Sequence, residues 1–498
     1  MRVFFMQKPL LVHPLRRKDH STGTQQQSLT GALFNPERTQ GQSIPMKHER
    51  GQWGSRIGFI LAAAGSAIGL GAIWKFPYMA GANGGGAFVC LYLASVFGIG
   101  VSMMLAELAM GRFARRNAVE AFRSFGGKKG GLFGYSSLVA AFLILAFYCV
   151  VGGWTCGYLL KALTGTLLLP EGAQAFALQF QSIIGAPVNS LVFLGIFLAL
   201  TMGIVLGGVK EGIERFSKVL MPLLFCLMFL MIIRSVTLPG ASAGIRFLFF
   251  PDFTRLTPRV LVDALGFACF SLSLGFGAML TYGSYIGDRE SLGKAAFSVV
   301  CLQTVCTLLA GLMIMPAVFA LGMQPESGPG LTYIILPAVF KAMPGGSVFA
   351  VIFFALLLIA ALTSSVSIVE PIVAYCIERY LMPRKKAAAG VGVAGFVAAI
   401  PAAWSFGGGA PTLFGMTPFA LMDAVTSNIM LPVNVLAACI LMGAICPGVF
   451  RFELYQRNRE ERTKYEPAPR WAAWVELCCR YVAPAVIAAV LFAALLKA

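Results

Sequence analysis

The chain has 498 residues, of which 58% are hydrophobic and only 12% charged, with a formal net charge of +18 and a mean hydropathy of +0.78. A water-soluble protein of this length needs far more charge to cover its surface, so a soluble enzyme or binding module is excluded. Apolar stretches of about 20 residues, long enough to cross a bilayer as helices, recur from Trp53 to the C-terminus and define a polytopic membrane protein.

Residues 1–45 are polar, contain "TGTQQQS" and have no helical apolar period, so a disordered cytoplasmic tail is expected there. No small-residue cleavage site follows an apolar core, as a signal peptide would require, and Met46 in "MKHERGQW" stands as an alternative start. Eleven spans follow, at 54–80, 86–111, 134–162, 189–207, 214–236, 259–286, 295–321, 347–379, 388–404, 418–446 and 474–496. The loop 322–346, with "LTYIILPAVFKAMPGG", reads as short helices over the outer face.

Charge placement sets the orientation in a cell membrane. With the N-terminus inside and the C-terminus outside, only eight of the 39 lysines and arginines fall on the outward side: Lys75, Lys161, Arg234, Arg246, Arg255, Arg259, Lys341 and Lys497. The rest follow the positive-inside rule. The excess charge is therefore explained by topology, with no need of a nucleic-acid partner.

All three histidines (His13, His20, His48) precede the first span, which argues against a histidine proton relay, a haem or a His-ligated zinc in the membrane. The 12 cysteines lie almost entirely in apolar spans and form no CxxC pair, so they read as buried thiols. With no nucleophile–base pair and no metal cluster in the core, an enzyme is not expected.

Two spans carry helix breakers at mid-membrane depth. The first holds "GSAIGLGAIWKFPY" (Gly65–Tyr78), and the sixth "FSLSLGFGAMLTYGSY" (Phe270–Tyr285). Glycine costs a helix about 1 kcal/mol relative to alanine, and one such cluster is explained by close helix packing. Two in corresponding positions, "AIGLG" and "SLGFG", point to an inverted repeat of five plus five helices, the pattern that marks a transporter's binding site. The fold expected is all-α, with repeat 1 at 46–236, repeat 2 at 259–446 and an eleventh helix at 474–496.

An unwound segment frees backbone groups that must find partners in hydrocarbon. Half-helix N-termini favour a carboxylate, and freed carbonyls suit a hard monovalent cation. The eighth span adds "AALTSSVSIVEP", where Thr363, Ser364, Ser365 and Ser367 cluster at one depth. A lone hydroxyl usually bonds its own helix; four together offer enough oxygen to replace water around Na⁺.

The segments "WGSRIGFILAAAGSAIGLGAIWKFPYMAGANGGGAF", "ELAMGR", "KEGIERFSKVLMP", "SLSLGFGAMLTYGSY" and "LTSS", in this order, resemble the neurotransmitter:sodium symporter family in its bacterial amino-acid transporter branch. The resemblance runs from about Arg50 to the last span, and midplane half-helices are a known feature of that family.

The resemblance implies a sodium site, Na2, from the carbonyls of Gly65, Ile68 and Ala360 and the hydroxyls of Thr363 and Ser364. A second, Na1, would use the Ala67 carbonyl, Ser271 and the substrate carboxylate. Ala72 and Gln303 stand at its two usual asparagines, leaving it either water-completed or weakened. The substrate carboxylate would meet the N–H groups of Leu70 and Gly71 and the Tyr148 hydroxyl. Its ammonium would meet carbonyls near Ala67, Phe270 and Ser273. Phe270, Phe276, Ile144 and Ile368 would line an apolar side-chain pocket, with Ser66 and Ser364 also among the substrate-binding residues. Amine-carrying relatives have Asp at the position of Gly69, so the absence of that carboxylate implies an amino-acid substrate.

The gates implied are an external pair, Lys75 with Asp423, and an internal pair, Arg50 with Glu378, flanked by Trp53 and Tyr285. Glu107 and Glu370, also at membrane depth, would be structural, bonded to backbone or serine groups. Tyr92, Ser271 and Thr307 match the family's chloride position, but Phe267 replaces its glutamine, and chloride dependence is left open. The function implied is sodium-coupled import of a neutral, hydrophobic or aromatic amino acid by alternating access. Its alternatives are proton coupling on the same fold and a non-transporting receptor, scaffold or leak channel. The partners are the amino acid and the lipid bilayer; the oligomeric state is not assigned.

Overall fold

The computed structural model describes residues 51–323, 331–406, 412–456 and 469–495. The tail 1–45 and the gate candidate Arg50 lie outside them. In chain order the main helices are α1 (Arg56–Ala67), α2 (Gly71–Ala82), α3 (Gly86–Ala114), α4 (Ala118–Leu163), α5 (Ala173–Ile184), α6 (Val188–Leu206), α7 (Gly208–Val236) and α8 (Ala241–Phe249). The second half holds α9 (Pro258–Ser271), α10 (Ala278–Gly283), α11 (Leu292–Ala320), α12 (Leu331–Ala342), α13 (Gly346–Tyr380), α14 (Arg384–Trp404), α15 (Pro418–Ile445) and α16 (Arg470–Phe492). Among the described residues no strand forms beyond one isolated bridge, Leu413 to Met416.

Nine of these helices are long and apolar enough to cross a membrane, and α1 with α2, bent by 46°, makes a tenth span. The pair α9 and α10, of 14 and 6 residues, fills the place expected for the sixth. The broken pairs thus open the first and sixth spans, as an inverted five-plus-five plan requires, and α16 follows as the eleventh. The third span is embedded in a longer element than expected. Helix α4 has 46 residues, about 69 Å at 1.5 Å per residue and more than twice the hydrocarbon thickness. Gly127, at φ 58°, kinks it, so the residues before that glycine take a different direction from the span.

The two breaks have different causes. At the first, α1 ends with the Ile68 N–H donating to the Ala64 carbonyl at 2.8 Å, and the next residue has no room for a side chain. A Cβ on Gly69 would lie 2.4 Å from the Ser364 hydroxyl oxygen and 2.8 Å from that of Tyr148. At the second break, Ser273, Gly275 and Gly277 all take positive φ (55°, 89° and 81°), which no α-helix tolerates. Ser273 is not a glycine, so its backbone is strained.

The unwound peptide at Gly275 is satisfied from both sides. Its N–H donates to Glu107 at 2.8 Å, and Asn434 donates to its carbonyl at 2.8 Å. Buried carboxylate and amide side chains here replace the helical bonds that the break removes.

Candidate transport site

The two breaks meet at one carbonyl. The Ser66 oxygen, in the last turn of α1, accepts from the Ser273 hydroxyl at 2.9 Å and from the Ser364 hydroxyl at 2.8 Å. The Ser66 hydroxyl donates to Ser367 at 2.6 Å. All four serines are buried, so one peptide joins α1, the second break and α13. At the other side of the first break, the Leu70 N–H donates to the Tyr148 hydroxyl at 3.2 Å. Two of the three groups that the resemblance assigns to a carboxylate therefore stand at one point.

Phe270 closes over the second glycine of the first break, since a Cβ on Gly71 would lie 2.9 Å from its ring. Ile144 and Ile368, one helical turn from Tyr148 and Ser364 respectively, are buried, as are Ala67 and Phe276. The sequence-derived pocket residues thus sit on the elements that converge at the breaks.

Beside this point lies a set of neutral oxygens. The carbonyls of Gly65, Ala67 and Ile68 end α1, where the helix leaves its last C=O groups unpaired. The Thr363 hydroxyl donates to the Ala360 carbonyl at 3.0 Å, and Ser364 donates to Ser66. A hydroxyl whose proton is spent presents only lone pairs to its other side. A Cβ on Gly65 would come 3.2 Å from the Cβ of Thr363, so the end of α1 packs directly against that residue. Among the described residues no group of three His, Cys, Asp or Glu could hold a metal ion. These oxygens are all uncharged: backbone carbonyls and the hydroxyls of Thr363 and Ser364.

The residues matching Na1 and chloride are arranged differently. Gln303 donates from its amide nitrogen to Thr307 at 2.9 Å and to the Tyr92 oxygen at 3.1 Å. Tyr92 donates to the Gln303 amide oxygen at 3.1 Å, and Thr307 donates to the Gln303 carbonyl at 3.0 Å. Ser271 donates to Ala268 within its own helix at 3.2 Å. Phe267 packs on Tyr92 and Phe76, with ring centroids 5.2 and 5.9 Å apart.

The external pair does not form. Among the described residues Lys75 makes no ion pair; its ammonium lies 4.4 Å above the centre of the Phe270 ring. Asp423 accepts from the Ser427 hydroxyl at 2.7 Å, one turn along its own helix. The shorter reach of a lysine point charge and the polarisable ring beneath it account for the difference. On the inner side, the Trp53 indole N–H donates to the Tyr282 carbonyl at 3.0 Å, and the Trp53 backbone N–H to the Tyr285 carbonyl at 3.3 Å. Glu378 accepts from the Asn117 backbone and side chain, each at 2.8 Å.

The membrane-depth acids are partly as expected. Glu107 meets backbone, but Glu370 does not meet serine: it forms a buried ion pair with Arg384 and accepts from the Tyr285 hydroxyl at 2.9 Å. Sequence reasoning missed Glu214, which anchors the start of α1 by accepting from the Gly54 N–H at 2.6 Å and the Ser55 hydroxyl at 2.8 Å. Its pairing with Lys218 at 2.6 Å was legible as an i,i+4 Glu–Lys spacing.

Known proteins place this architecture. The model of the sodium:neurotransmitter symporter family matches residues 50–179 and 174–498. An uncharacterized sodium-dependent transporter of Bacillus subtilis, YhdH, is 44% identical over 383 residues, covering 76% of this chain and 85% of the relative. A human sodium- and chloride-dependent GABA transporter 2 is 27% identical over 507 residues, covering 90% and 80%. The crystal structure of MhsT in complex with L-phenylalanine superposes with a TM-score of 0.81 at 40% identity, over 90% of this chain and 100% of that one. The chain belongs to the sodium:neurotransmitter symporter family and is a sodium-dependent membrane transporter, not an enzyme.

Proposed function

We propose that the chain imports a neutral amino acid with a hydrophobic or aromatic side chain, driven by Na⁺ bound at Gly65, Ile68, Ala360, Thr363 and Ser364. The observation that carries this is the Ser66 peptide, which ties the end of α1 to Ser273 and Ser364. A cation beside it and a carboxylate at Leu70, Gly71 and Tyr148 lie on adjoining turns, so each lowers the electrostatic cost of the other. The packing at Gly69 leaves no space for the aspartate that an amine substrate would need. The L-phenylalanine held by MhsT supports an apolar side-chain pocket at Ile144, Phe270, Phe276 and Ile368.

Alternating access follows from the same contacts. Trp53 bonded to Tyr282 closes the inner route, and Phe270 under Lys75 covers the site from the other side. Lys75, Asp423, Arg50, Glu378 and Tyr285 are the gate residues in this scheme. The N-terminus is cytoplasmic, and 46–236 and 259–446 are the two repeats.

Proton coupling is disfavoured because the hydroxyls of Thr363 and Ser364 do not titrate in the physiological range. The test is uptake of each of the twenty amino acids into proteoliposomes under a Na⁺ gradient, a choline control and a proton gradient. Na⁺-dependent uptake confined to apolar and aromatic amino acids is expected. Uptake driven by the proton gradient alone, or none of any amino acid, would contradict the proposal, the second outcome favouring a receptor or scaffold.

A further inference from the structure

We infer that this carrier couples one Na⁺, and no chloride, to each amino acid. This stoichiometry rests on the sodium-coupled function proposed above and concerns how many ions that function uses. A second cation beside Ala67 would need oxygen ligands from positions 72, 271 and 303. Ala72 is fully buried and ends in a methyl group, so it supplies none.

Gln303 supplies none without losing a network. Its amide oxygen accepts from the Tyr92 hydroxyl at 3.1 Å and from Thr304 at 3.5 Å, and its nitrogen donates to Thr307 at 2.9 Å. Withdrawing that amide would take its acceptor from the buried Tyr92 hydroxyl, at about 1–3 kcal/mol for a buried group left unpaired, while Thr307 keeps the carbonyl of residue 303. What remains for a second cation is the Ala67 carbonyl, the Ser271 hydroxyl and the substrate's own carboxylate. The set between α1 and α13 offers three carbonyls and two hydroxyls from the protein alone.

The anion position fails for a matching reason. An anion needs free donors, and here the Tyr92 hydroxyl is given to Gln303, the Thr307 hydroxyl to the Gln303 carbonyl, and the Gln303 nitrogen to Thr307 and Tyr92. Phe267, 2% exposed, presents a ring where a further donor would have to be.

The two deficits belong together physically. A zwitterion with one Na⁺ carries a single net charge, whereas a second cation would double it in a low-dielectric core and call for a compensating anion. Neither of the deep carboxylates compensates it: Glu107 is held at Gly275 and Glu370 at Arg384.

The experiment is equilibrium accumulation of tritiated L-phenylalanine by the full chain in liposomes, with the membrane potential clamped at zero and Na⁺ tenfold higher outside. Each co-transported ion multiplies the attainable gradient by the Na⁺ ratio, so one ion gives about tenfold and two give about a hundredfold accumulation. Initial rates against Na⁺ concentration separate the same cases free of leak, hyperbolic for one ion and sigmoidal for two. Both are repeated with gluconate replacing chloride on both sides. Accumulation near tenfold, a hyperbolic curve and indifference to gluconate are expected. Accumulation well above tenfold, a sigmoidal curve or a loss in gluconate overturns the stoichiometry while leaving sodium coupling intact. No Na⁺-driven accumulation at all overturns the sodium coupling and the stoichiometry with it.

Discussion

Two polar clusters lie beside the first break, and they behave oppositely. Between α1 and α13, the Thr363 and Ser364 hydroxyls spend their protons on the carbonyls of Ala360 and Ser66, which leaves only lone pairs on their oxygens. Between α3 and α11, the Tyr92, Gln303 and Thr307 groups satisfy one another. Both clusters are buried and rich in oxygen, but in the second the side-chain donors and acceptors are turned on one another. A count of polar residues therefore does not identify an ion site; the direction of each donor does.

Replacing both Thr363 and Ser364 by Ala should break that contrast most severely. It removes two of the five proposed ligands, and Na⁺-dependent uptake should fall at least tenfold, a loss of about 1.4 kcal/mol or more. Uptake of labelled amino acid by equal amounts of inserted protein measures this, and wild-type uptake in the double variant would remove the site.

Gly71→Ala probes the point where the carboxylate would dock. The added methyl favours helix by about 1 kcal/mol and meets the Phe270 ring. Thermal melting without ligand should stay near wild type, while the stabilisation given by Na⁺ and substrate together should be lost. A variant that gains as much from ligand as wild type would make this glycine a packing residue.

Gln303→Leu tests the self-satisfied cluster. Removing the amide that Tyr92 donates to should cost about 1–3 kcal/mol of stability, seen as a lower melting temperature, with the Na⁺ concentration for half-maximal uptake unchanged. A shift in that concentration comparable to the Thr363 and Ser364 variant would erase the distinction between clusters. The smallest effect is expected from Lys75→Met, which removes an ammonium over Phe270 worth about 0.5–1 kcal/mol. A two- to fivefold weaker apparent affinity should result, and Asp423→Asn should change less, because the two side chains are not paired.

Much of the architecture was legible because its signals are local. Apolar length gave the spans, and the glycine pairs at 69/71 and 275/277 marked the breaks. The hydroxyl run at 363–367 was legible as a cluster at one depth, and Ser364 and Ser367 of that run meet Ser66. What escaped depends on where distant side chains point. The Ser273 to Ser66 bond joins residues 207 apart in the chain, and the Glu370–Arg384 pair crosses from α13 to the start of α14. Lys75 satisfied a charge-placement rule at the residue level, but its ammonium settled on an aromatic ring rather than on Asp423. The third span, expected at 134–162, lies inside a longer helix that starts at Ala118 and is kinked at Gly127, an extension that apolar length does not signal.

Equilibrium binding of tritiated L-phenylalanine to the purified protein, with Na⁺ titrated against choline at constant pH and ionic strength, tests the central claim most directly. If the cation and the carboxylate occupy adjoining turns of the first break, binding should be negligible in choline and should saturate with Na⁺, and the Thr363 and Ser364 double variant should need far more Na⁺ to reach it. Binding of equal affinity in choline and in Na⁺ would contradict the account.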